Sequence, residues 1–433
     1  MLLLPAPHQR VKDAGHAVKR LAGQVIQKVT TATFSHWLDL PEFVLEGYIQ
    51  EQVERQKVLH LFCTHRHKVA LCPRCQTPSI LGHDMKERCV RDLDLLGQRV
   101  FLHFPARRFD CERCGRPFTE ALPSVDAHRR QTRRFEQYIY ERCLRSDRKQ
   151  IAEQAWLHQA TVQDIFKRWA KQARKQPAPL FVRVLGIDEI SLTKGQQQYA
   201  LVLSDLERRC VIAVFPNRLQ ETLEQWLDAL SPAQRLAIRC VSIDMWEPYR
   251  AVIRAKLSQA RLVADRFHVM RQLNERLTQM RRTLQAQATP EVQAVLKGSR
   301  WVLVKNREEL TPKEQAKLEQ VLAACPQLRT LYLLKEEFRL IFEKVKTRDQ
   351  AERFLRAWVC KAQQTQDKFL LKFVATLLNW WTEILNYFIE RVTNGFVEGM
   401  NRALRAIIDR AFGYRNFENF RLQVLAEHWA PSG

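Results

Sequence analysis

Two C-x-x-C pairs, Cys72-Pro-Arg-Cys75 and Cys111-Glu-Arg-Cys114, stand 35 residues apart. Each pair offers two thiolates from one tight turn, and two such turns complete a tetrahedral zinc site. The chain between them must therefore leave the first turn and return to it. Alternations such as RVFLHF read as strands, and one or two hairpins would close that path. A redox C-x-x-C belongs at a helix start in a thioredoxin-like pattern, and neither pair sits at one. His65, His67, His83 and Cys89 are alternative ligands nearby, but the four cysteines complete the set without them. Four thiolates leave a zinc ion no open position, so the site is scaffold and not catalyst.

Zinc thiolates fit a reducing compartment better than a secreted, disulfide-bonded chain, and the rest of the sequence agrees. The N-terminus MLLLPAPHQRVKDAGHAVKR has three leucines before a proline and then charge, which makes no signal peptide. No apolar run approaches the roughly 18 residues of a membrane span, so a soluble intracellular protein with no membrane partner is expected. Lysine and arginine number 70 against 47 acidic residues, a formal net charge of +23. That balance favours a polyanion, with phosphate contacts supplying much of the affinity.

At 433 residues the chain is expected to hold two to four domains. Residues 1–62 are the least readable: HAVKRLAGQVIQKVT reads as a helix and LDLPEFVLEGYIQEQ as a turn into a strand. Residues 63–122 are the strand-like ribbon around the cysteines. From 123 to 178 the period turns helical, ending at the linker Pro-Ala-Pro, residues 177–179. Within RSDRKQIAEQAWLHQATVQDIFKRWAKQ, Ser146 can cap one helix with Ile151, Ala152 and Ala155 inward. Val162, Ile165, Phe166 and Trp169 make the apolar stripe of a second. Thr161, Gln163, Lys167 and Arg168 are then left outward, where the recognition helix of a helix-turn-helix meets base edges. The small residue usual in its turn is replaced by Leu157-His158, so an ordinary helical hairpin is the alternative.

Residues 179–285 carry three strands in quick succession, FVRVLGIDEI, QQYALVLSD and RCVIAVFPN. Then come a helix (LQETLEQWLDAL), a strand (IRCVSIDM), a helix (EPYRAVIRAKLSQ), a strand (RLVADR) and a long helix from about Phe267. This order implies a mixed sheet with helical crossovers. Residues 286–385 show only helical patterning, and 386–433 end in NGFVEGMNRALRAIIDRAFGYRNFENFRLQVLAEHW.

Asp188 ends the first strand of that sheet, Asp244 ends the strand after the first helix, and Glu398 lies near the start of a late helix. Strand-end carboxylates on neighbouring strands can point into one cleft, and a helix packed across it can add a third. Three gathered carboxylates take up protons unless cations lie between them. Magnesium prefers such oxygen ligands, and two ions stabilise the attacking and leaving oxygens of a phosphodiester displacement. Acids at the ends of strands one and four, in this strand–helix order, are the arrangement of the ribonuclease H fold. On the late helix Phe396, Met400, Ala403, Leu404, Ile407 and Ala411 form an apolar face. Glu398, Asn401, Arg402 and Arg405 form a polar one, which sets phosphate-binding arginines beside a metal ligand. Alternation along the first strand sends Glu189 to the opposite face from Asp188. Asp265 also ends a strand, as an alternative to Asp244 or an aid to it. His268 either reaches the scissile phosphate or is a structural helix-start histidine. Trp246 and Tyr249 either stack on a flipped or frayed base or simply pack.

GIDE with KGQQQYALVLSD, SIDMWEPYR, VADRFHV and the terminal NGFVEGMNRALRAIIDRAFGYRNFENFRLQVL resemble the DDE transposases of the ISL3 insertion-sequence family. The spacing of Asn394, Gly395, Glu398, Asn401, Gly413, Arg415, Asn416 and Phe417 is the most specific part of the resemblance. It implies a multidomain α+β chain of zinc ribbon, helix-turn-helix and ribonuclease H-like core, the core interrupted by the all-helical 286–385. It implies cut-and-paste transposition of double-stranded DNA in a bacterial cytoplasm, on terminal inverted repeats and target DNA, by at least a dimer. The acidic triad falls on Asp188, Asp244 and Glu398, holding two Mg²⁺ ions with Mn²⁺ able to substitute, beside structural Zn²⁺. Glu247, where the pattern often has proline, and the QQQ after Lys194-Gly195 depart from it without removing a ligand. A DNA-binding regulator that lost catalysis, or a structure-selective nuclease, would share much of this layout.

Overall fold

The computed structural model describes residues 27–28, 38–173, 181–192, 198–392 and 395–428. The expected linker at 177–179, Lys194-Gly195 and Asn394 lie outside the described residues. The chain divides into two compact units, Met1–Lys175 and Gln176–Gly433.

The first unit is built on strands β1 (Gln27–Lys28), β2 (Phe43–Val53), β3 (Gln56–His65), β4 (Ala70–Leu71), β5 (Pro78–Ser79), β6 (Gly82–Arg91), β7 (Arg99–Cys111) and β8 (Arg116–Thr119). The main sheet runs β1-β2-β3-β7-β6, with β8 on β7. Its strands alternate as half-buried strands should, sending Phe43, Leu45, Leu59, Leu61, Val100, Leu102 and Phe104 into one core. Two expectations change here. Of the helix expected from HAVKRLAGQVIQKVT, the described Gln27 and Lys28 form β1, paired antiparallel with β2. The division expected at 62/63 falls inside β3, which pairs with β2 on one side and β7 on the other.

Three helices follow in this unit: α1 (Arg133–Cys143), α2 (Arg148–Ala155) and α3 (Gln159–Ala173). Asp147, not the expected Ser146, caps α2, accepting from the N–H groups of Lys149 and Gln150 at 3.0 Å each. An ionised carboxylate one residue closer to the first turn is the better acceptor. Trp156 turns the chain between α2 and α3 at φ +57°. Arg99 lies 3.4 Å from the centre of its ring. His158 then caps α3 through its ring Nδ1, 3.2 Å from the Ala160 N–H.

In the second unit, β9 (Val184–Ser191), β10 (Tyr199–Asp205), β11 (Cys210–Phe215), β12 (Cys240–Ile243) and β13 (Arg261–Ala264) form a sheet in the order β11-β10-β9-β12-β13. β10 is antiparallel to both neighbours, while β9, β12 and β13 are mutually parallel. The helices are α4 (Gln220–Asp228), α5 (Pro232–Ala237), α6 (Glu247–Lys256) and α7 (Arg266–Gln287), then α8 (Pro290–Leu296), α9 (Arg300–Val304), α10 (Pro312–Ala324) and α11 (Pro326–Lys344). They continue with α12 (Arg348–Gln364), α13 (Lys368–Asn379), α14 (Trp381–Glu390), α15 (Gly395–Arg410) and α16 (Phe417–His428).

Both sheet faces are covered. Ile190, Ala200, Val202 and Val214 pack with Met400, Leu404 and Ile407 of α15 and Phe420 and Val424 of α16. Leu185, Ile187, Leu201 and Val241 face the other way, into a core that runs on through Leu223, Val252 and Leu273 to Phe338, Trp358 and Phe373. The helical stretch is thus fused to the sheet through one core. α14 closes that stretch against β13, where Asn386 donates its amide to the Leu262 carbonyl at 2.8 Å. At the far end of α15 the chain turns back through Gly413 at φ +92°, a conformation that glycine adopts at no steric cost.

Candidate functional site

The parallel strands place three aspartates in one row. Ile187 of β9 is in register with Ile243 of β12, and Ile243 with Ala264 of β13. One residue further along stand Asp188, Asp244 and Asp265, where β12 and β13 end and parallel pairing opens a crevice. Asp188 does not end its strand as expected, since β9 runs on to Ser191 paired with β10 alone. The row is shared unequally. Asp265 Oδ1 caps α7 by accepting from the Phe267 N–H at 2.8 Å, and its Oδ2 pairs with His268 Nδ1 at 2.7 Å. Asp188 accepts from the Asn401 amide at 2.6 Å and from the Glu189 N–H at 2.7 Å. Asp244 differs: its Oδ1 is buried with no hydrogen-bond partner among the described residues.

Burial raises the Asp188 carboxyl above its usual range, against the pull of His268 and its two hydrogen bonds. Burial pushes Asp244 up to about 6, with the charges of Glu189 and Asp188 adding to it. Burial alone would lower His268, but the Asp265 carboxylate overrides it and the imidazole is raised. Carboxylates held this close and this dry are short of positive charge.

Glu398 is on α15, one turn before Asn401, and its side chain lies outside the described residues. Arg402 and Arg405 are exposed on the same helix. Trp246, 38% exposed, sits at the start of α6 with the Arg218 guanidinium 5.1 Å from its ring centre. Tyr249 is 1% exposed and donates to the Arg218 carbonyl at 3.2 Å, so it packs and presents no face to a base. Arg218 itself has no counterpart in the sequence reading. It pairs with Glu189 at 3.0 Å and lies 4.4 Å from the Tyr199 ring centre. Nothing in the local string FPNRLQ marks it, because its partners come from β9, β10 and the start of α6.

In the first unit, Cys72 and Cys75 lie on the β4–β5 turn, Cys111 ends β7, and Cys114 stands in the turn to β8. Their sulfurs all lie within 4.8 Å of one another, with Cys75 and Cys111 at 3.5 Å and Cys72 and Cys114 at 4.0 Å. Zinc–sulfur bonds of about 2.3 Å in a tetrahedron put the sulfurs about 3.8 Å apart, so the four fit a Zn²⁺ ion. Hydrogen bonding with Thr77 lowers the Cys75 thiol to about 6, while the proton shared within the cluster, with Cys75 foremost, raises Cys114 to about 12. Three of the four alternative ligands are engaged elsewhere: His65 donates to the Pro105 carbonyl at 2.6 Å, His83 pairs with Asp110 at 3.1 Å, and Cys89 lies 3.8 Å from His103. His67 is exposed and outside the cluster.

On α3, Thr161, Gln163 and Lys167 are half-exposed near its start. Arg168 is half-exposed as well, but it is engaged: it pairs with Asp126 at 2.7 Å and with Glu136, which is 1% exposed and also accepts from Arg129 at 2.8 Å. Sequence periodicity missed this because Glu136 comes from α1, and a buried carboxylate takes the nearest guanidinium.

A family model described as a transposase matches residues 185–424. One for the helix-turn-helix domain of transposase family ISL3 matches 120–170, and one for the zinc finger of the IS204/IS1001/IS1096/IS1165 transposases matches 68–114. The transposase for insertion sequence element IS1001 of Bordetella parapertussis is 30% identical over 388 residues, 88% of this chain and 95% of that relative. The transposase for element IS1557 of Mycobacterium tuberculosis is 27% identical over 350 residues, 75% of this chain and 78% of that relative.

Proposed function

This chain belongs to the ISL3 family of insertion-sequence transposases, and from that we propose that it binds the terminal inverted repeats of its element, cuts the DNA there and joins the freed ends to target DNA. The observation that carries the chemistry is the aspartate row, with an unpartnered, buried oxygen on Asp244 beside Asp188. The strand order β11-β10-β9-β12-β13, with β10 alone antiparallel to both its neighbours, supports a ribonuclease H-like core interrupted by the helical stretch.

Asp188, Asp244 and Glu398 are the proposed ligands of two Mg²⁺ ions, and hard oxygen donors suit that ion, or Mn²⁺ in its place. Bound there, magnesium would supply Lewis-acid stabilisation of the attacking and leaving oxygens of a phosphodiester. Asp244 is favoured over Asp265 because both Asp265 oxygens already have partners. Asp265 acts as a positioning residue, fixing His268 at the start of α7. Arg402 and Arg405, exposed along α15, meet phosphates on either side of the cut. Zn²⁺ on the four cysteines holds the ribbon, and Thr161, Gln163 and Lys167 of α3 read base edges. For the joining of two ends, the family implies at least two copies of the chain.

The test is metal-dependent nicking of DNA carrying the element's own ends. Asp188→Ala abolishes nicking and leaves end binding intact. A wild-type chain that binds the ends but never cuts them in Mg²⁺ or Mn²⁺ would defeat the reading.

A further inference from the structure

A cleft of about 880 Å³ begins at Asp265 and follows α7 as far as Arg282. Phe267, Arg271, Asn274, Thr278 and Arg282 line it from α7 at spacings of three and four, so they share one face of that helix. At 1.5 Å per residue that face is about 22 Å long. Arg300 and Trp301 of α9 and Lys335 of α11 line it too.

Two features of the lining stand out. The first is exposed aromatic surface: Trp301 is 67% exposed and Phe267 48%. Neither ring is needed by the core, and both stand on the walls of a cleft. The second is an excess of positive charge, six cations against the lining acids Asp265, Glu275 and Glu343, with Lys335 paired to Glu336. Arg266 is paired with Glu343 at 3.0 Å, and Arg339 with Glu308 at 2.7 Å and Glu336 at 2.8 Å. Arg271, Arg282 and Arg300 form no ion pair with any described acid. Arg282 and Arg300 are close enough to one another's neighbour Arg281 that, after burial, they lower its pKa. Arg300 also lies 5.0 Å from the centre of the Trp301 ring.

We propose that this cleft binds an unpaired DNA strand leading away from the aspartate row, with bases stacked on Phe267 and Trp301 and phosphates met by Arg271, Arg282 and Arg300. The assignment of DNA as substrate rests on the function proposed above. Aromatic platforms interleaved with cations are the chemistry of single-strand binding, because an unpaired base offers a free π-face and a paired one does not. Position adds a reason. Phe267 packs edge-on against His268, 5.5 Å between ring centres, so a strand stacked there passes directly from the acids into the cleft.

The experiment uses the full-length, zinc-loaded chain and a short fluorescent oligo(dT), with excess unlabelled random duplex to occupy duplex-binding surfaces. Trp301→Ala is expected to weaken oligo(dT) binding by about tenfold, the loss of one stacked base. Trp301→Phe restores most of it. Arg282→Glu with Arg300→Glu weakens it further and flattens its dependence on salt. Melting temperature stays at the wild-type value throughout, since all three side chains are exposed, and duplex affinity stays at the wild-type value in Trp301→Ala, which changes no charge. Oligo(dT) binding that is unchanged in every variant, or that the duplex competitor removes entirely from the wild type, would overturn the assignment. The nicking assay separates the two readings. A wild type that never nicks counts against the proposed chemistry, whereas normal nicking with unaltered oligo(dT) binding in Trp301→Ala removes the cleft and keeps the chemistry.

Discussion

Asn401 donates its side-chain amide to Oδ2 of Asp188 over 2.6 Å, joining α15 to the strand that carries the first acid of the row. Asn401 stands one turn after Glu398, so this bond registers the helix of the third proposed ligand against the first. Outer-shell partners of this sort orient a ligand and tune its basicity. Asn401→Ala is expected to lower Mg²⁺-dependent nicking by about ten- to hundredfold, with end binding unchanged and a higher Mg²⁺ concentration needed for half-maximal rate. An unaltered magnesium titration would reduce the amide to packing.

Glu189, adjacent to Asp188, points to the other side of β9 and holds Arg218 at 3.0 Å, while its charge still reaches Asp244 and its Oε1 is buried without a hydrogen-bond partner among the described residues. A neutral amide at 189 still accepts from Arg218. Glu189→Gln is therefore expected to keep nicking within about tenfold of wild type, while Asp188→Asn and Asp244→Asn each lose more than the roughly hundredfold of an outer-shell change. Single-turnover rates on end DNA decide this. Equal losses at 188 and 189 would mean that the wrong neighbour had been chosen.

What the sequence made legible is what repeats locally. The cysteine pairs fix their own geometry through two-residue spacers. The apolar strand runs marked β9, β12 and β13 and hence Asp244 and Asp265 at the ends of the last two, but not that β9 runs on past Asp188 to Ser191 along β10. What it hid depends on side chains from distant segments. Asp265 looks like Asp244 in a string of letters, and only the cap it makes on α7 and its pairing with His268 tell them apart. Arg168 reads as outward on α3 until Glu136 of α1 is placed beside it. Tyr249 reads equally well as a base-stacking ring or a core ring, and its burial is set by the core beneath α6. The cleft along α7 is invisible for the same reason, since Trp301 meets the helix of Arg271 only after the intervening chain has folded.

His103 and His60 lie together in the first unit's sheet, 2.8 Å apart, and each is at most 2% exposed. Burial first, and then the neighbouring His60, lowers His103 to about 4; burial also lowers His60. The folded state therefore binds fewer protons than the unfolded one between about pH 4 and the ordinary histidine value near 6.5. Stability contributed by the neutral pair is complete above that ordinary value and is lost as pH falls through the window. For His103 alone the loss is on the order of 3 kcal/mol. Thermal melting at pH 7 and pH 5 is expected to show a smaller difference in His103→Gln than in the wild type. An identical pH dependence would remove His103 from the account.

Zinc should be present at one ion per chain and should depend on the four clustered cysteines alone. Cys72→Ser or Cys114→Ser is expected to lose the metal and to unfold the ribbon, because folding of such a site is coupled to its metal. Cys89→Ser and His83→Ala keep it, since both side chains are engaged outside the cluster. Metal analysis of the purified variants, with end binding measured in parallel, tests both halves. Retention of zinc by Cys114→Ser together with its loss from Cys89→Ser would redraw the ligand set.

Glu383 of α14 is 2% exposed and is gripped by Arg250 of α6 through two hydrogen bonds, at 3.0 and 3.2 Å, and by Arg254 at 2.6 Å. Arg250 is itself 7% exposed, with the Trp380 ring centre 4.6 Å from its guanidinium. Breaking one side of a buried pair strands the other charge, at a cost of about 3–5 kcal/mol. Glu383→Ala is expected to lower the melting temperature by about 10 °C, at a few degrees per kcal/mol for a unit of this size. Replacing both partners by apolar residues, Arg250→Met with Glu383→Leu, removes the stranded charge and should recover most of that loss. The position matters for function as well as for stability. α14 is tied to β13 through Asn386 and Leu262, and β13 ends at Asp265, the residue that orients His268. Glu383→Ala should therefore lose nicking activity on warming well before the end binding proposed for the other unit. If binding and nicking fall together with temperature, the ion pair does not support the aspartate row.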